Sequence, residues 1–149
     1  MKFLYSLVLS SFFATAAFAQ NVVIGAPADG TTVTAGSNMT VEVDRPNSLT
    51  GSTEVAVVIG FLSCVGFSSE TCPPASEILG SILYNGPYDP EFHTNVSRSK
   101  PPHQNFTVTI PATARTGPAQ LSVTHLSLVG AGPFPLLETL NMTLNVENS

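Results

Sequence analysis

Apolar and polar residues alternate in several separate stretches of the chain. The clearest are residues 39–43, 106–110 and 140–146, where every second side chain is apolar and those between are Thr, Asn or Glu. A period of two is typical of a β-strand that buries one face and exposes the other. These stretches therefore predict strands that cover one side of a core.

Two longer apolar runs predict more deeply buried strands. Residues 54–62 are rich in β-branched side chains, which favour a central strand. In residues 119–129 the apolar side chains change from odd-numbered to even-numbered positions. Because a strand keeps its parity unless an extra residue is inserted, we expect a β-bulge near His125.

Weaker signals fill the remaining segments. Residues 22–24 and 31–34 could form a first strand and its continuation. Residues 78–84 could form another strand, and a short helical turn after Pro73 and Pro74 is the alternative. No stretch of ten or more residues shows helical periodicity without an interrupting Gly or Pro. About seven strands separated by turns predict an all-β fold, an antiparallel β-sandwich of the immunoglobulin or fibronectin type III kind.

The N-terminal end of the chain has the layout of a secretory signal peptide. Lys2 supplies the positive charge, residues 3–13 are almost wholly apolar, and residues 17–19 (Ala-Phe-Ala) form a small-x-small cleavage site. The apolar run is shorter than the roughly 20 residues that span a bilayer, so we expect export and no membrane span. The expected organisation is a signal peptide at residues 1–19 and a single secreted domain at residues 20–149.

Cysteine and sequon content agree with export. Cys64 and Cys72 are the only cysteines, and an even count in an exported chain predicts one disulfide. They lack the C-x-x-C spacing of a redox or metal pair. Four N-glycosylation sequons predict a glycoprotein, and they begin at Asn38, Asn95, Asn105 and Asn141.

The charge balance excludes one class of partner. The 149 residues carry 5 Lys plus Arg against 10 Asp plus Glu, a net charge of −5. A nucleic-acid binder needs clustered basic side chains to displace counterions from phosphates, so nucleic acid is not an expected partner.

Catalytic motifs are scarce. His93, His103 and His125 are far apart in sequence and form no zinc pair, and no Ser stands in a G-x-S-x-G elbow. His125 is expected to be a half-buried, hydrogen-bonded side chain. Asp89 and Glu91 lie in a Pro-rich loop and are expected to be solvated charges. We therefore expect no cofactor, no metal and no enzyme activity.

Four segments together resemble one protein family, and they cover residues 26–36, 45–60, 82–87 and 125–135. The chain resembles the necrosis-inducing secreted protein family of fungal effectors (Nis1-like). The second and fourth segments are the most specific, since the Pro-x-x-Gly turn of the first opens many fungal wall proteins. The likeness extends over nearly the whole expected secreted domain.

The resemblance implies a function that the composition does not. It implies a secreted effector that suppresses plant pattern-triggered immunity by binding and inhibiting immune receptor-like kinases and receptor-like cytoplasmic kinases, and that can induce plant cell death. It implies action in the apoplast, with translocation into the host cell as a further step. The alternative is a non-catalytic wall-associated or carbohydrate-binding immunoglobulin-like module. In either case we expect a monomer.

The fourth segment offers a candidate partner contact. Pro133, Phe134 and Pro135 place an aromatic ring between two prolines, and so stiff a projection has little ordering entropy left to lose on binding. The alternative is that Phe134 and Leu136 cap the end of the sandwich core.

Overall fold

The computed structural model describes residues 21–48, 50–94 and 100–148. The expected signal peptide and the Asn95 sequon lie outside these ranges. A 3-10 turn occupies Ser68–Glu70. Eight strands carry the fold: β1 (Val23–Ala26), β2 (Thr31–Thr34), β3 (Asn38–Asp44), β4 (Ser52–Ser63), β5 (Ser81–Pro87), β6 (His103–Thr109), β7 (Gly117–Val129) and β8 (Phe134–Glu147).

The strands form two sheets. The small sheet has the order β1-β3-β6, and the large sheet has the order β2-β8-β7-β4-β5. Neighbours are antiparallel except β2 and β8, which are parallel. The two sheets form a sandwich, which confirms the predicted all-β fold.

Alternating side chains of both sheets fill the core, as the period of two predicted. Most of the fully buried apolar side chains come from β3, β4, β7 and β8, and these include Val41, Val43, Val57, Ile59, Leu121, Val123, Leu144 and Val146. Full burial of one such side chain contributes about 1.5–3 kcal/mol relative to its exposure. This shared core holds the two sheets face to face.

The predicted bulge near His125 was wrong. β7 pairs with β8 without interruption from Gly117 to Val129, and the irregularity lies instead in β4, between Glu54 and Ala56. His125 and Ser127 are fully buried and continue the inward face. The apolar pattern changes parity because the inward positions become polar, not because the backbone of β7 shifts.

The first two short strands do not continue one another. β1 belongs to the small sheet and β2 to the large sheet, so the chain crosses between layers after Ala26. At the crossing the Gly30 N–H donates to the Thr143 carbonyl at 2.8 Å, and the Asp29 carboxylate accepts from the Thr143 N–H at 2.7 Å. Gly30 has a φ of 77°, a left-handed conformation that glycine adopts without strain.

A disulfide lies at one end of the large sheet. Cys64 directly follows β4 and is bonded to Cys72, which closes the loop that contains the 3-10 turn. The Cys64 N–H donates to the Pro118 carbonyl at 2.9 Å, which ties this loop to the start of β7. Within the described ranges no helix has the length and apolar character needed to cross a bilayer.

Candidate interaction surface and the polar cluster beneath it

The connection between β7 and β8 forms an exposed apolar tip at the other end of the large sheet. We call Pro133, Phe134 and Pro135 the hairpin tip. Phe134 is 63% exposed, and neither Phe134 nor Leu136 belongs to the core cluster. The ring therefore projects into solvent at the start of β8 and does not cap the core.

The backbone around the hairpin tip is held by the neighbouring loop. Phe134 pairs with Val129, the last residue of β7. Gly130 has a φ of 78°, and its N–H donates to the Gly51 carbonyl at 2.9 Å. The loop before β4 thus anchors the turn that presents Phe134.

A second exposed apolar side chain near the tip, Leu137, was not singled out from the sequence. Leu137 is 67% exposed and pairs with Leu126 across the hairpin. The sequence does indicate that one of two neighbouring leucines is exposed, because Leu136 and Leu137 are adjacent in a strand and must face opposite sides of the sheet.

Beneath the tip, His125 bridges two carboxylates inside the sandwich. Its side chain is fully buried. Nδ1 lies 2.9 Å from Oε1 of Glu138 on β8, and Nε2 lies 2.5 Å from Oε2 of Glu54 on β4. The Tyr88 ring stands edge-on to the imidazole, with ring centroids 5.3 Å apart. With a carboxylate on each nitrogen, the ring donates from both only as the imidazolium.

Other groups complete this arrangement, which we call the polar cluster and define as Arg45, Ser52, Glu54, His125 and Glu138. Oε1 of Glu54 accepts from Arg45 Nε at 2.8 Å and from Ser52 Oγ at 2.6 Å. The backbone N–H of Val22 donates to Oε1 of Glu138 at 2.6 Å. The cluster therefore joins β4, β7 and β8 to the segment before β1 and to the end of β3.

The cluster favours the charged forms of Glu54 and His125. Burial disfavours the charged form of Glu54, but hydrogen bonds from His125, Ser52 and Arg45 outweigh that penalty and lower its pKa to about 2. Burial alone would lower the pKa of His125, but its bonds to Glu138 and Glu54 raise the pKa above the ordinary value of 6.5. Two cations and two anions thus alternate beneath the surface. Such buried charges hold a structure together only while every partner is present.

The other candidate residues lie apart from the tip. The rings of His93 and His103 are in contact, with centroids 4.4 Å apart and planes tilted by 48°. They lie beside an ion pair between Lys100 Nζ and Glu42 at 2.7 Å. Glu91 forms a backbone bridge with His103. The described part of the chain contains no group of three or more His, Cys, Asp or Glu side chains placed to hold a metal ion.

The three described sequon asparagines are all exposed, and the sheets divide them. Asn38 on β3 and Asn105 on β6 belong to the small sheet, and Asn141 on β8 belongs to the large sheet. None of the three lies in the hairpin tip.

A comparison with known protein families decides the chain's membership. The Nis1 family model matches residues 17–145. The chain belongs to the Nis1 family. This is a family of effectors, and its match spans every described strand except the last residues of β8. Among curated proteins none matches the sequence.

Two solved structures are similar to this Nis1-family chain, and the first shares its fold. A superoxide reductase (neelaredoxin) from Ignicoccus hospitalis is similar with a TM-score of 0.50 and 15% identity, over 89% of this chain and 86% of that one. The AA10A structure of T. fusca is similar with a TM-score of 0.45 and 17% identity, over 84% of this chain and 55% of that one. At these identities the first likeness shows the fold alone.

In this Nis1-family chain the sequence pattern found the tip but missed most of the polar cluster. His125 was expected to be hydrogen-bonded, whereas Arg45, Glu54 and Glu138 were not singled out as its partners. The alternation along β8 indicates that Glu138 faces the core, because it is even-numbered like the inward Leu140 and Leu144.

Proposed function

We propose that this Nis1-family chain is a secreted effector that binds plant immune receptor-like kinases and receptor-like cytoplasmic kinases and inhibits them by occlusion. Family membership supports an effector role. The observation that carries the contact is Phe134, 63% exposed between two prolines at the end of a hairpin.

The geometry suits the hairpin tip to binding. Apolar aromatic anchors dominate many protein interfaces, and a side chain already held in place loses less entropy when it is bound. Phe134 lies between Pro133 and Pro135, and the adjoining turn is anchored by the bond from Gly130 to Gly51. The buried polar cluster stiffens the strands below. The tip is thus a preorganised contact.

Occlusion, rather than chemistry on the kinase, fits the arrangement of the charged groups. His125, the one buried histidine with two carboxylate partners, is fully enclosed and has both nitrogens engaged. A general base needs a free nitrogen within reach of a substrate proton. The proposed inhibition therefore depends on stoichiometric binding.

Binding to purified kinase domains tests the proposal. We expect the wild-type chain to bind at least one receptor-like or receptor-like cytoplasmic kinase domain in a calorimetric or pull-down assay. Phe134→Ala should weaken that binding by about thirtyfold or more, the loss typical of a central aromatic anchor.

A matched control is available within the chain. Phe92 is 67% exposed in a different loop, so Phe92→Ala removes the same side chain at similar exposure. It should bind like the wild type. Failure of the wild type to bind any kinase domain, together with retention on isolated wall polysaccharide, would contradict the proposal and favour a wall-associated module.

The disulfide adds a second arm to this test. Disulfides persist in oxidising compartments, whereas the cytosol is reducing. A chain that also acts on cytoplasmic kinases must therefore bind them with Cys64 and Cys72 reduced. We expect the reduced form to keep its affinity, because the bridge lies at the opposite end of β4 and β7 from the hairpin tip.

A further inference from the structure

The two carboxylates that flank His125 are held to different degrees. Glu54 accepts from the imidazole and also from the guanidinium and the hydroxyl group of the polar cluster. Among the described residues, Glu138 accepts only from His125 Nδ1 and from the Val22 backbone N–H, and both bonds go to its Oε1. Glu138 is therefore the partner that is free to turn away.

The bond from Val22 to Glu138 holds the segment that precedes β1. The Val22 N–H lies 2.6 Å from Oε1, and the Val22 side chain is fully buried in the core cluster. β1 belongs to the small sheet and β8 to the large sheet. This one side-chain bond thus ties residues 21 and 22, at the start of the expected secreted domain, across the sandwich.

A neutral imidazole can satisfy only one of the two carboxylates, because it has a single N–H. Its other nitrogen then presents a lone pair to a carboxylate oxygen. Nε2 lies 2.5 Å from Glu54 and Nδ1 lies 2.9 Å from Glu138, so a lone pair on Nε2 would bring two acceptors closer together. We therefore expect the proton to leave Nδ1, so that Glu138 loses its donor.

We propose that His125 and Glu138 form a pH-controlled latch on the segment before β1, closed while the imidazole carries both protons and opened by loss of the Nδ1 proton. In the open state Glu138 turns toward solvent, to which its side chain is already 12% exposed. The Val22 N–H then lacks its acceptor, and because a buried N–H without a partner is unfavourable, residues 21 and 22 leave the sheet and are hydrated. The latch does not depend on kinase binding, so it stands or fails separately from the proposed function.

Groups from several elements surround the imidazole of the latch. Glu54 comes from β4, Glu138 from β8, Arg45 from the position directly after β3 and Tyr88 from the segment after β5. Burial raises the pKa of the Tyr88 hydroxyl, which donates to a backbone carbonyl of β3 at 3.0 Å, so this group stays neutral while the imidazole titrates. The carboxylates of β3 alternate with core valines and lie on the outer face of the small sheet.

The direction of the pH response follows from the same contacts. Although burial opposes it, the bonds to both carboxylates hold the pKa of His125 above 6.5. The latch is therefore closed below pH 6.5 and opens as the pH rises through the raised value.

Hydrogen exchange at the Val22 amide, followed by NMR from about pH 5.5 to about pH 9, tests the latch. The protection factor is used, because it corrects for the intrinsic acceleration of exchange by base. We expect it to be constant at the acidic end and then to fall about tenfold per pH unit, since opening is linked to the loss of one proton. Constant protection over the whole range would overturn the inference.

A second amide provides an internal control. The Ala35 N–H donates to the Glu147 backbone carbonyl at 3.1 Å, at the other end of β8, in a bond that involves no titrating group. Above the transition the Ala35 amide should lose less protection than the Val22 amide at every pH. An equal loss at both amides would show that the whole protein opens, and would overturn the latch.

Glu138→Gln should disable the pH response without breaking the contact. The amide oxygen can still accept from the Val22 N–H, and the amide nitrogen can donate to the neutral Nδ1, so the segment stays docked when the imidazole loses its proton. Protection at Val22 should then no longer fall at high pH. Glu147→Gln changes an exposed carboxylate of the same strand and should keep the wild-type fall. A wild-type fall in Glu138→Gln would overturn the inference.

The ¹⁵N chemical shifts of the His125 ring test the latch in the wild type, whether or not Glu138→Gln folds. We expect both nitrogens to carry protons at about pH 5.5 and only Nε2 to carry one at about pH 9. A ring that is neutral at the acidic end, or one that keeps its proton on Nδ1 at the alkaline end, would overturn the inference.

Discussion

The two ends of the long strands of the large sheet are held by different chemistry. At one end the disulfide from Cys64 to Cys72 closes the loop after β4. At the other end the polar cluster joins β4, β7 and β8 through His125. The first bond is covalent and independent of protonation between mildly acidic and neutral pH, whereas the second depends on two protonation states. The end that carries the hairpin tip is therefore the end that responds to pH.

Of the changes considered, removal of His125 should lower the free energy of unfolding most. His125→Ala leaves Glu54 and Glu138 buried without the cation between them, and the loss of one partner from a buried charged group costs about 3–5 kcal/mol. We expect the free energy of unfolding, measured by urea titration, to fall by that amount. His93→Ala is the control, because His93 is exposed. Its free energy of unfolding should be lowered much less.

Because of the polar cluster, the stability of the protein should fall at both low and high pH. The pKa of Glu54 is lowered from 4.5 to about 2, so its contribution is present above pH 4.5 and is lost as the pH falls toward 2. At about 1.4 kcal/mol per pKa unit, discounted for solvent screening, this contribution is on the order of 1–3 kcal/mol. The pKa of His125 is raised, so its contribution is complete below pH 6.5 and is lost as the pH rises through the raised value.

Urea unfolding at a series of pH values measures both the acidic and the alkaline loss of stability. We expect maximal stability between pH 4.5 and 6.5, from these two reference values. The alkaline loss should vanish in His125→Ala. A wild-type stability that keeps rising from pH 6.5 to 9 would contradict the assignment of an imidazolium at this site.

Loss of the disulfide should have a smaller effect at the other end. Cys64→Ser with Cys72→Ser opens a loop whose ends are 8 residues apart, and the chain-entropy account gives a cost of about 2–3 kcal/mol. The difference in unfolding free energy between this variant and the wild type should be the same at pH 5 and pH 8. A pH-dependent difference would show that the two ends are coupled through the sheet.

The smallest effect on stability is expected at the hairpin tip. Phe134→Ala removes a ring that is 63% exposed and outside the core, and surface substitutions of this kind stay within about 0.5 kcal/mol. Differential scanning calorimetry should show an unfolding temperature close to that of the wild type. A loss of several kcal/mol would mean that Phe134 caps the core, which was the alternative interpretation of the sequence.

The sequence predicted the regular strands because their signal is local. Residues 39–43, 106–110 and 140–146 alternate within a single strand, and each lies in or at the end of a strand that buries the apolar set. The tip could be recognised for a similar reason, since two prolines flank one aromatic residue. Such features depend only on neighbours along the chain.

The polar cluster could not be recognised in this way, because it depends on contacts across the sheet. Glu54 is 71 residues from His125, and each charge alone resembles a solvated surface group. The same cluster explains why the prediction of a bulge near His125 was wrong. It places polar side chains at inward positions, where a regular strand pattern has apolar ones. A buried position was mistaken for a shift of the backbone.

We propose that the chain inhibits kinases by occupying their surface, and a titration of kinase activity tests this proposal most directly. Increasing amounts of the chain are added to a fixed amount of a kinase domain that binds it, and phosphorylation is measured before and after the chain is removed. We expect inhibition to reach completion near one chain per kinase and to reverse fully on removal. Inhibition by far less than one chain per kinase, persisting after removal, would contradict the account.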